Sequence, residues 1–170
     1  SFKNIEWVIG NDGSTDKSDK LINSFIKDNK INIKYIRSNI RIGKSKMDNL
    51  IIPKVSGKYL CYCGSDDYFK KDAFENMFKL LNQIPFKLKN KINGVLTISV
   101  DENGISQSTF KNKIHKKNIY ISWEEFTSNI YGDVTNLEKT SSYKNKKFKE
   151  VDFLITESTL INKIHRKKIF

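Results

Sequence analysis

The chain has 170 residues, of which 38% are hydrophobic and 12% aromatic, with only two prolines. This length and composition predict one globular domain with a hydrophobic core, and they exclude a disordered chain. The formal net charge of +12 favours polyanionic partners such as nucleic acid, an anionic membrane surface or a diphosphate substrate. Because the basic residues are spread along the chain and accompany much Asn and Ile, AT-rich codon usage explains the charge equally well.

The sequence also bears on the cellular compartment. No stretch approaches the roughly 20 apolar residues of a membrane span, and the first residues lack the layout of a secretory signal. Cys61 and Cys63 lie too close together for a good disulfide, and no further ligand nearby completes a metal set. We therefore expect a cytoplasmic protein whose two cysteines are small apolar strand residues.

The first third of the chain alternates strand and helix patterns. Residues 5–9 form a short apolar run that ends at the turn NDGSTD, and residues 16–28 repeat apolar positions at helical spacing. Residues 31–37 then alternate apolar and polar side chains as a strand does. The pattern predicts strand, helix and strand in that order.

A second helix and strand follow. Gly43 opens a helical stretch that Pro53 and Gly57 limit, and residues 58–63 predict a buried strand that runs directly into GSDD. An amphipathic helix around Ala73–Leu81 comes next. Strands that alternate with helices at this short spacing indicate βαβ units and a parallel sheet.

The pattern changes after Pro85. Residues 94–100 predict a strand, ENG at 102–104 a hairpin turn, and Ser122 with Glu125 a capping box. The basic residues 144–149 predict a solvated loop, and Thr156 is a candidate cap for a last helix. We take the chain as one domain, 1–170, with halves at 1–85 and 86–170.

Two acidic turns stand where such sheets bind ligands, beyond the carboxyl ends of strands. Asp12 follows the first strand, and Asp66 and Asp67 follow the strand at 58–63. One such carboxylate can accept hydrogen bonds from a base or ribose, and another can hold a divalent cation that neutralises a diphosphate. Each motif alone has another reading, because DGS is a common turn and either later Asp could cap the next helix.

The order of these motifs resembles family 2 glycosyltransferases with the GT-A fold. IEWVIGNDGSTDKSDKLI is similar to the family segment that ends in Asp-Asp-Gly-Ser-Thr-Asp, and RIGKSKMDNLIIPKVSGKYLCYCGSDDYF to the stretch that ends in Asp-x-Asp-Asp. FKEVDFLITESTLINKI resembles, more weakly, a later segment with an acidic residue before a helix. The resemblance covers most of residues 1–85 and 130–166. It implies an α/β, Rossmann-like and mostly parallel sheet flanked by helices. It also implies that residues 1–85 are the nucleotide-sugar-binding half and residues 86–170 the acceptor-side half.

The resemblance also implies roles for the residues of the first motif and of the segment after it. Asp12 matches the family Asp that contacts the nucleoside. The nucleotide-sugar pocket would further include Gly13, Gly43 and Asn49.

The second motif would hold the metal. Asp66 matches the last Asp of Asp-x-Asp, which binds Mn²⁺ or Mg²⁺ and through it the diphosphate, with Ser65 and Asp67 beside the donor. Glu157 is the candidate general base of an inverting transfer, and Asp152 is the alternative. Glu157 could equally be a first-turn helix acid that the macrodipole favours.

The chain departs from the family pattern at several positions. Asn11 and Gly64 replace acids, Asp48 stands where Arg is frequent, and Ser158 stands where many members have a second acid. Family members also begin with an apolar strand, a turn and a helix that have no counterpart before residue 1, so we expect the first βα unit to be missing. The departures bear on donor identity and rate more than on fold.

The implied function is transfer of a sugar from a nucleotide-diphosphate donor, by analogy a UDP-sugar, to a glycan or lipid-linked acceptor in bacterial surface polysaccharide synthesis. The implied location is the cytoplasm, at the inner face of the cell membrane, where a basic surface suits an anionic lipid carrier. An inactive truncated remnant that keeps the fold and weak nucleotide binding is the alternative. Nucleic acid is not an expected partner, because the chain has no recognisable recognition helix or stacking motif.

Overall fold

The computed structural model describes residues 4–110, 120–150 and 158–170. Their contacts divide them into two compact units. The first unit holds residues 4–58, 143–150 and 158–161, and the second holds residues 59–110, 120–142 and 162–170. The single domain with halves at 1–85 and 86–170 stays a prediction.

The first unit contains a βαβ element followed by a helix. Strand β1 (Glu6–Asp12) leads into helix α1 (Ser18–Asp28), which returns the chain to strand β2 (Asn32–Ser38), and helix α2 (Lys44–Ile51) follows. β1 and β2 pair in parallel, so both carboxyl ends lie at the same edge. The strand, helix and strand predicted for this region are confirmed.

Helix α2 packs closely on β1 at a glycine. A Cβ atom added to Gly10 would lie 2.7 Å from the Cγ of Met47, which is a buried residue of α2. A short 3₁₀ turn (Ile52–Lys54) containing Pro53 ends the helix, as the sequence predicts. The close approach fixes α2 against the strand that ends at Asp12.

The second unit is built around an antiparallel sheet. Strand β3 (Tyr59–Cys61) and strand β4 (Gly94–Ile98) each pair with strand β7 (Val134–Lys139), which lies between them. Helix α3 (Ala73–Gln83) packs on this sheet through a core cluster of Met77, Leu81, Val95 and Leu137. Strand β5 (Ser108–Phe110) pairs antiparallel with strand β6 (Ile130–Gly132).

The α/β class and the GT-A type of architecture are confirmed, with helices beside parallel and antiparallel strands. Among the described residues the parallel arrangement is limited to β1 and β2. β3 pairs with the later strand β7, because the chain after α3 returns to the sheet in antiparallel strands. The predicted hairpin turn is present, with Gly104 at φ +80°.

The remaining helices are α4 (Trp123–Asn129) and α5 (Ser158–His165). The predicted capping box starts α4, because the Ser122 and Glu125 side chains each bond the other's backbone amide. The predicted cap Thr156 lies outside the described residues. In the described ranges, no helix combines the length and apolar character that a bilayer crossing requires.

The second unit contains a buried network of hydrogen-bonded polar side chains. Fully buried His165 lies with Nε2 2.5 Å from Oε2 of Glu138, and Nδ2 of Asn93 donates to the same oxygen at 3.1 Å. Ser142 donates to Oδ1 of Asn93 at 2.5 Å. These bonds join β7 to the end of α5, so the Glu138 carboxylate is satisfied inside the unit.

Candidate functional site

The Asp12 carboxylate, at the end of β1, is bonded to a loop 30 residues further along the chain. Its Oδ1 accepts from the backbone N–H of Ile42 at 2.7 Å, and its Oδ2 from that of Gly43 at 2.9 Å. The half-buried side chain therefore fixes the entrance to α2. A carboxylate oxygen has a second acceptor site, so each Asp12 oxygen can accept one further hydrogen bond.

Gly13 follows Asp12 and has a conformation that favours glycine. Its φ is +74°, and an added Cβ atom would lie 2.6 Å from both the backbone N of Arg41 and the backbone C of Ile40. The turn after β1 and the loop before α2 are thus in backbone contact, and no larger residue fits between them.

Asn11 lies beneath this turn and is 4% exposed. Its Oδ1 accepts from the backbone N–H of Ser14 at 2.9 Å, which closes the turn. Its Nδ2 donates to Oδ1 of Asp19 at 3.1 Å and to the hydroxyl of Tyr35 at 2.8 Å. The Asn11 amide is therefore bonded at both its oxygen and its nitrogen.

Asp19 and its cationic partner complete this cluster. The Tyr35 hydroxyl donates to Oδ1 of Asp19, and Nε of Arg37 lies 2.6 Å from Oδ2. Burial, and next the bond to Asp19, raise the pKa of the Tyr35 hydroxyl, so it remains a proton donor at neutral pH. The sequence analysis did not identify Asp19, Tyr35 or Arg37 as site residues. The signal it could have used is the parallel register, which places the end of β2 beside Asn11.

Gly43 precedes the first residue of α2, and Asp48 lies one turn into the helix. Gly43 has φ +90°, and a Cβ atom added there would meet no other atom within 4 Å, so its backbone conformation alone requires glycine. Asp48 is 4% exposed and pairs one turn back with Nζ of Lys44 at 2.7 Å. The acid that stands in place of the family Arg is thus held by an ion pair within α2.

Asn49 contacts a later segment of the first unit. Its Oδ1 accepts from the backbone N–H of Phe148 at 2.8 Å, and its Nδ2 donates to the Phe148 carbonyl at 3.0 Å and to Oε1 of Glu150 at 2.8 Å. Phe148 is buried while the neighbouring lysines are exposed, in keeping with the predicted solvated loop. The predicted role of Asn49 in a nucleotide pocket stays a prediction, and its amide holds residues 148–150 on α2.

The second acidic turn is exposed. A Cβ atom added to Gly64 would lie 2.8 Å from Oδ1 of Asp66 and 2.9 Å from Oδ2 of Asp67. One oxygen of each carboxylate therefore lies beside the same point above Gly64. Within the described ranges neither carboxylate has a hydrogen bond or an ion pair. Ser65 lies between Gly64 and these two acids and is also exposed.

The two carboxylates beside Gly64 are oxygen ligands of the kind that a divalent cation prefers. Mg²⁺ in proteins is usually held by one or two carboxylates together with substrate phosphates, and two exposed converging carboxylates match that donor set. The residues that the structure describes contain no cluster of three or more His, Cys, Asp or Glu side chains suited to a metal. The carboxylates of this turn thus suit a cation that is also coordinated by the phosphates of a bound substrate.

The two cysteines precede this turn and do not add to its metal-binding groups. Cys61 is half-buried in β3, and burial, followed by the charges of Cys63 and Glu138, raises the pKa of its thiol to about 12. Burial and the two aspartates raise the pKa of the exposed Cys63 thiol as well. Both side chains are therefore neutral thiols at physiological pH, not thiolate ligands.

The two candidate bases, Glu157 and Asp152, lie outside the described residues.

A parallel βαβ unit with polar side chains at its carboxyl edge is typical of α/β proteins that bind nucleotides. Comparison with known families gives the narrower assignment. The family "Glycosyl transferase family 2" matches residues 1–89, which include both acidic turns. The chain belongs to this family.

Similar proteins are glycosyltransferases of bacteria. An uncharacterised glycosyltransferase of Haemophilus influenzae is 34% identical over 93 residues, 54% of this chain and 34% of the relative. The GalNAc(5)-diNAcBac-PP-undecaprenol beta-1,3-glucosyltransferase of Campylobacter jejuni is 24% identical over 99% of this chain and 53% of its own length. The UDP-Glc:alpha-D-GlcNAc-diphosphoundecaprenol beta-1,3-glucosyltransferase WfaP of Escherichia coli is 34% identical over 92 residues, 54% of this chain and 33% of the relative. The chain thus spans about half or less of the length of these relatives.

Proposed function

We propose that the chain is part of an inverting glycosyltransferase that moves a sugar from a nucleotide-diphosphate donor, a UDP-sugar, to a glycan or lipid-linked acceptor. The observation that carries the proposal is the pair of converging, exposed carboxylates beside Gly64, within the segment that matches the family. Relatives named for transfer to diphosphoundecaprenol-linked glycans support bacterial surface polysaccharide synthesis as the pathway class.

The nucleoside would bind at the carboxyl edge of β1 and β2. Asp12 is the proposed acceptor for a donor group of the base or ribose, because each of its oxygens keeps one acceptor site. Gly43 would let the ligand approach the backbone, because the space beside it is open. Gly13 would contribute its backbone to the pocket, in the turn that packs on residues 40 and 41. Asn49 would line the same nucleotide-sugar pocket from α2, where its amide also holds residues 148–150.

Asp66 would bind Mn²⁺ or Mg²⁺, with Ser65 and Asp67 beside the donor. A bound cation would neutralise the diphosphate and so make it a better leaving group. The contribution of the chain is to hold two carboxylates side by side in solvent, where they can reach a hydrated metal–nucleotide complex. Gly64 carries no side chain, so the two carboxylates can lie close to its backbone in this arrangement.

Glu157, or Asp152 in its place, would be the general base. It would accept the proton of the acceptor hydroxyl as that oxygen attacks the anomeric carbon from the face opposite the diphosphate. The bond between the anomeric carbon and the phosphate oxygen breaks with its electron pair on the nucleoside diphosphate, so the configuration inverts. Glu157→Gln should then leave donor binding intact while turnover collapses, and retained turnover would transfer the role to Asp152.

The acceptor side is proposed from charge and from the relatives. A net charge of +12 suits a peripheral contact with the anionic inner face of the cell membrane, where a lipid-linked acceptor would be found. The proposed location of the activity is the cytoplasm. Nucleic acid is not a proposed partner.

The test is calorimetry of the purified chain against a panel of nucleoside diphosphates that includes UDP and GDP, each with and without Mn²⁺. We expect binding of one diphosphate that Mn²⁺ strengthens about tenfold or more, corresponding to roughly 1.4 kcal/mol. Asp66→Ala should remove the Mn²⁺ effect, and Glu102→Gln, an exposed acid in the hairpin turn, is the matched control. Binding unaffected by Mn²⁺ in every case would reject the metal role. Metal-dependent binding without any sugar transfer would identify an inactive relative that keeps the nucleotide site.

A further inference from the structure

The cluster beneath the first acidic turn places an uncharged residue next to an acid. Asn11 and Asp19 meet through a hydrogen bond in which the Asn11 amide must be the donor, because a carboxylate only accepts. The same Asn11 nitrogen bonds the Tyr35 hydroxyl, which itself donates to Asp19. The direction of all three bonds therefore depends on an amide at position 11 and a carboxylate at position 19.

The charges of the cluster are balanced in this arrangement. Asp19 carries one negative charge, and the Arg37 guanidinium at 2.6 Å carries one positive charge. Arg37 also donates to Oδ1 of Asn39 at 3.0 Å, which fixes its orientation. The Asp12 carboxylate is itself negative and is bonded to the amides of the loop before α2, so it cannot compensate a further negative charge at position 11.

We propose that Asn11 and Asp19 form a positioning pair for the nucleotide site, in which the pairing of one neutral amide with one carboxylate holds the turn that carries Asp12. The inference rests on the proposed nucleotide binding and adds a requirement to it. Asn11 is 4% exposed, so the pair acts on a ligand through the turn. Its oxygen closes the turn at Ser14, and its nitrogen ties the turn to α1 and β2.

An acid at position 11 should therefore disrupt the site in a pH-dependent way. Asn11→Asp places two carboxylates within hydrogen-bond distance, and such a pair cannot hold two negative charges without cost. One of the two must take up a proton, so the pKa of the pair rises above that of a single carboxylate. At low pH the shared proton restores a hydrogen bond between positions 11 and 19. The turn is lost as the pH increases through this raised pKa.

The experiment measures the affinity for UDP with Mn²⁺ between pH 5 and pH 8 in the wild type and three variants. Asn11→Asp should bind about tenfold or more weakly at pH 8 and recover toward pH 5. The double variant Asn11→Asp with Asp19→Asn restores one amide and one carboxylate in exchanged positions. It should bind within about threefold of the wild type across the range, a difference below roughly 0.7 kcal/mol. Asn23→Asp adds the same charge to an exposed position of α1 and should follow the wild-type profile.

The outcomes separate this inference from the proposed function. Wild-type chain that binds no nucleotide diphosphate would reject the proposed function itself. Wild-type binding together with an unchanged Asn11→Asp variant would reject the positioning pair alone. A double variant as weak as the single variant, or a loss in Asn11→Asp that does not recover at pH 5, would also overturn it, because general damage to the fold does not respond to exchange of the charge.

Discussion

The two acidic turns use their carboxylates in opposite ways. In the turn after β1 the Asp12 carboxylate is half-buried and bonded to two backbone amides of the same unit. In the turn after β3 the Asp66 and Asp67 carboxylates are exposed and, among the described residues, without a hydrogen bond or an ion pair. An acid that is already bonded shapes a site before the ligand arrives, whereas two adjacent acids without partners are suited to a cation. The comparison predicts that changes in the first turn lower stability and that changes in the second alter only the response to metal.

The largest effect is expected from Gly13→Ala. The variant puts a Cβ atom within 2.6 Å of backbone atoms that cannot move independently, at a φ of +74°. We expect a loss of about 3 kcal/mol in the free energy of unfolding and loss of nucleotide binding. Gly43→Ala is the matched control, since its φ is also positive but its surroundings are open. It should cost only about 1 kcal/mol. Equal losses in urea unfolding would contradict the backbone contact between the two segments.

Asp12→Asn should have the next largest effect. An Asn side chain has one acceptor oxygen for two backbone N–H groups, and its own NH₂ group would face one of them. We expect a loss of about 2 kcal/mol in stability. Hydrogen exchange of the Ile42 and Gly43 amides should also accelerate. Asp28→Asn, which removes an exposed ion pair with Lys30, should change stability by less than about 0.5 kcal/mol. Unchanged exchange at residues 42 and 43 would show that Asp12 does not hold the loop.

Glu6, at the opposite end of β1, tests whether stability and binding separate along one strand. Burial raises the pKa of its carboxyl, but bonds from Lys34, Ser56 and Gly57 outweigh it and lower the pKa from 4.5 to about 2. The stabilisation is therefore present above pH 4.5 and lost as the pH falls toward 2.

Glu6→Gln should cost about 2 kcal/mol in urea unfolding at pH 7 and nothing near pH 2. Nucleotide affinity at pH 7 should stay unchanged, because Glu6 is remote from the carboxyl edge of the strand. A cost that does not vary with pH would contradict the ionised, bonded carboxylate.

The smallest effect on stability is expected from Asp67→Asn. Its side chain is exposed and, within the described ranges, makes no bond, so unfolding should change by less than about 0.5 kcal/mol. The Mn²⁺-dependent part of nucleotide affinity should fall about threefold, by roughly 0.7 kcal/mol. A stability loss as large as that of Asp12→Asn would remove the distinction between the two turns.

The regular parts of the fold could be predicted from the sequence because they follow local rules. The strand before Asp12, the helix after it and the capping box at Ser122 depend on residue type and spacing within a few positions, and the structure confirms them. Strand β7 was missed because its apolar pattern is broken by Glu138. Glu138 is 1% exposed and satisfied by His165 and Asn93, which are distant in sequence.

The candidate site shows the same limit. Asp12, Asp66 and Asp67 could be placed at strand ends from the sequence, because the end of a strand is a local feature. The partners of Asp12 lie 30 and 31 residues away, and the course of the loop between β2 and α2 does not follow from residue spacing. Resemblance could identify Asn49 as a candidate site residue. It could not predict that Asn49 bonds Phe148, which lies 99 residues further along the chain.

The most direct test of the account is to locate the metal by NMR. Mn²⁺ added to the ¹⁵N-labelled chain in the presence of UDP should broaden the amide signals of residues 64–67 most strongly, because paramagnetic broadening falls steeply with distance. Asp66→Asn should remove this broadening while the signals of residues 11–14 keep their positions. Strongest broadening at another cluster, or broadening at residues 64–67 that persists in Asp66→Asn, would contradict the assignment of the second turn as the metal site.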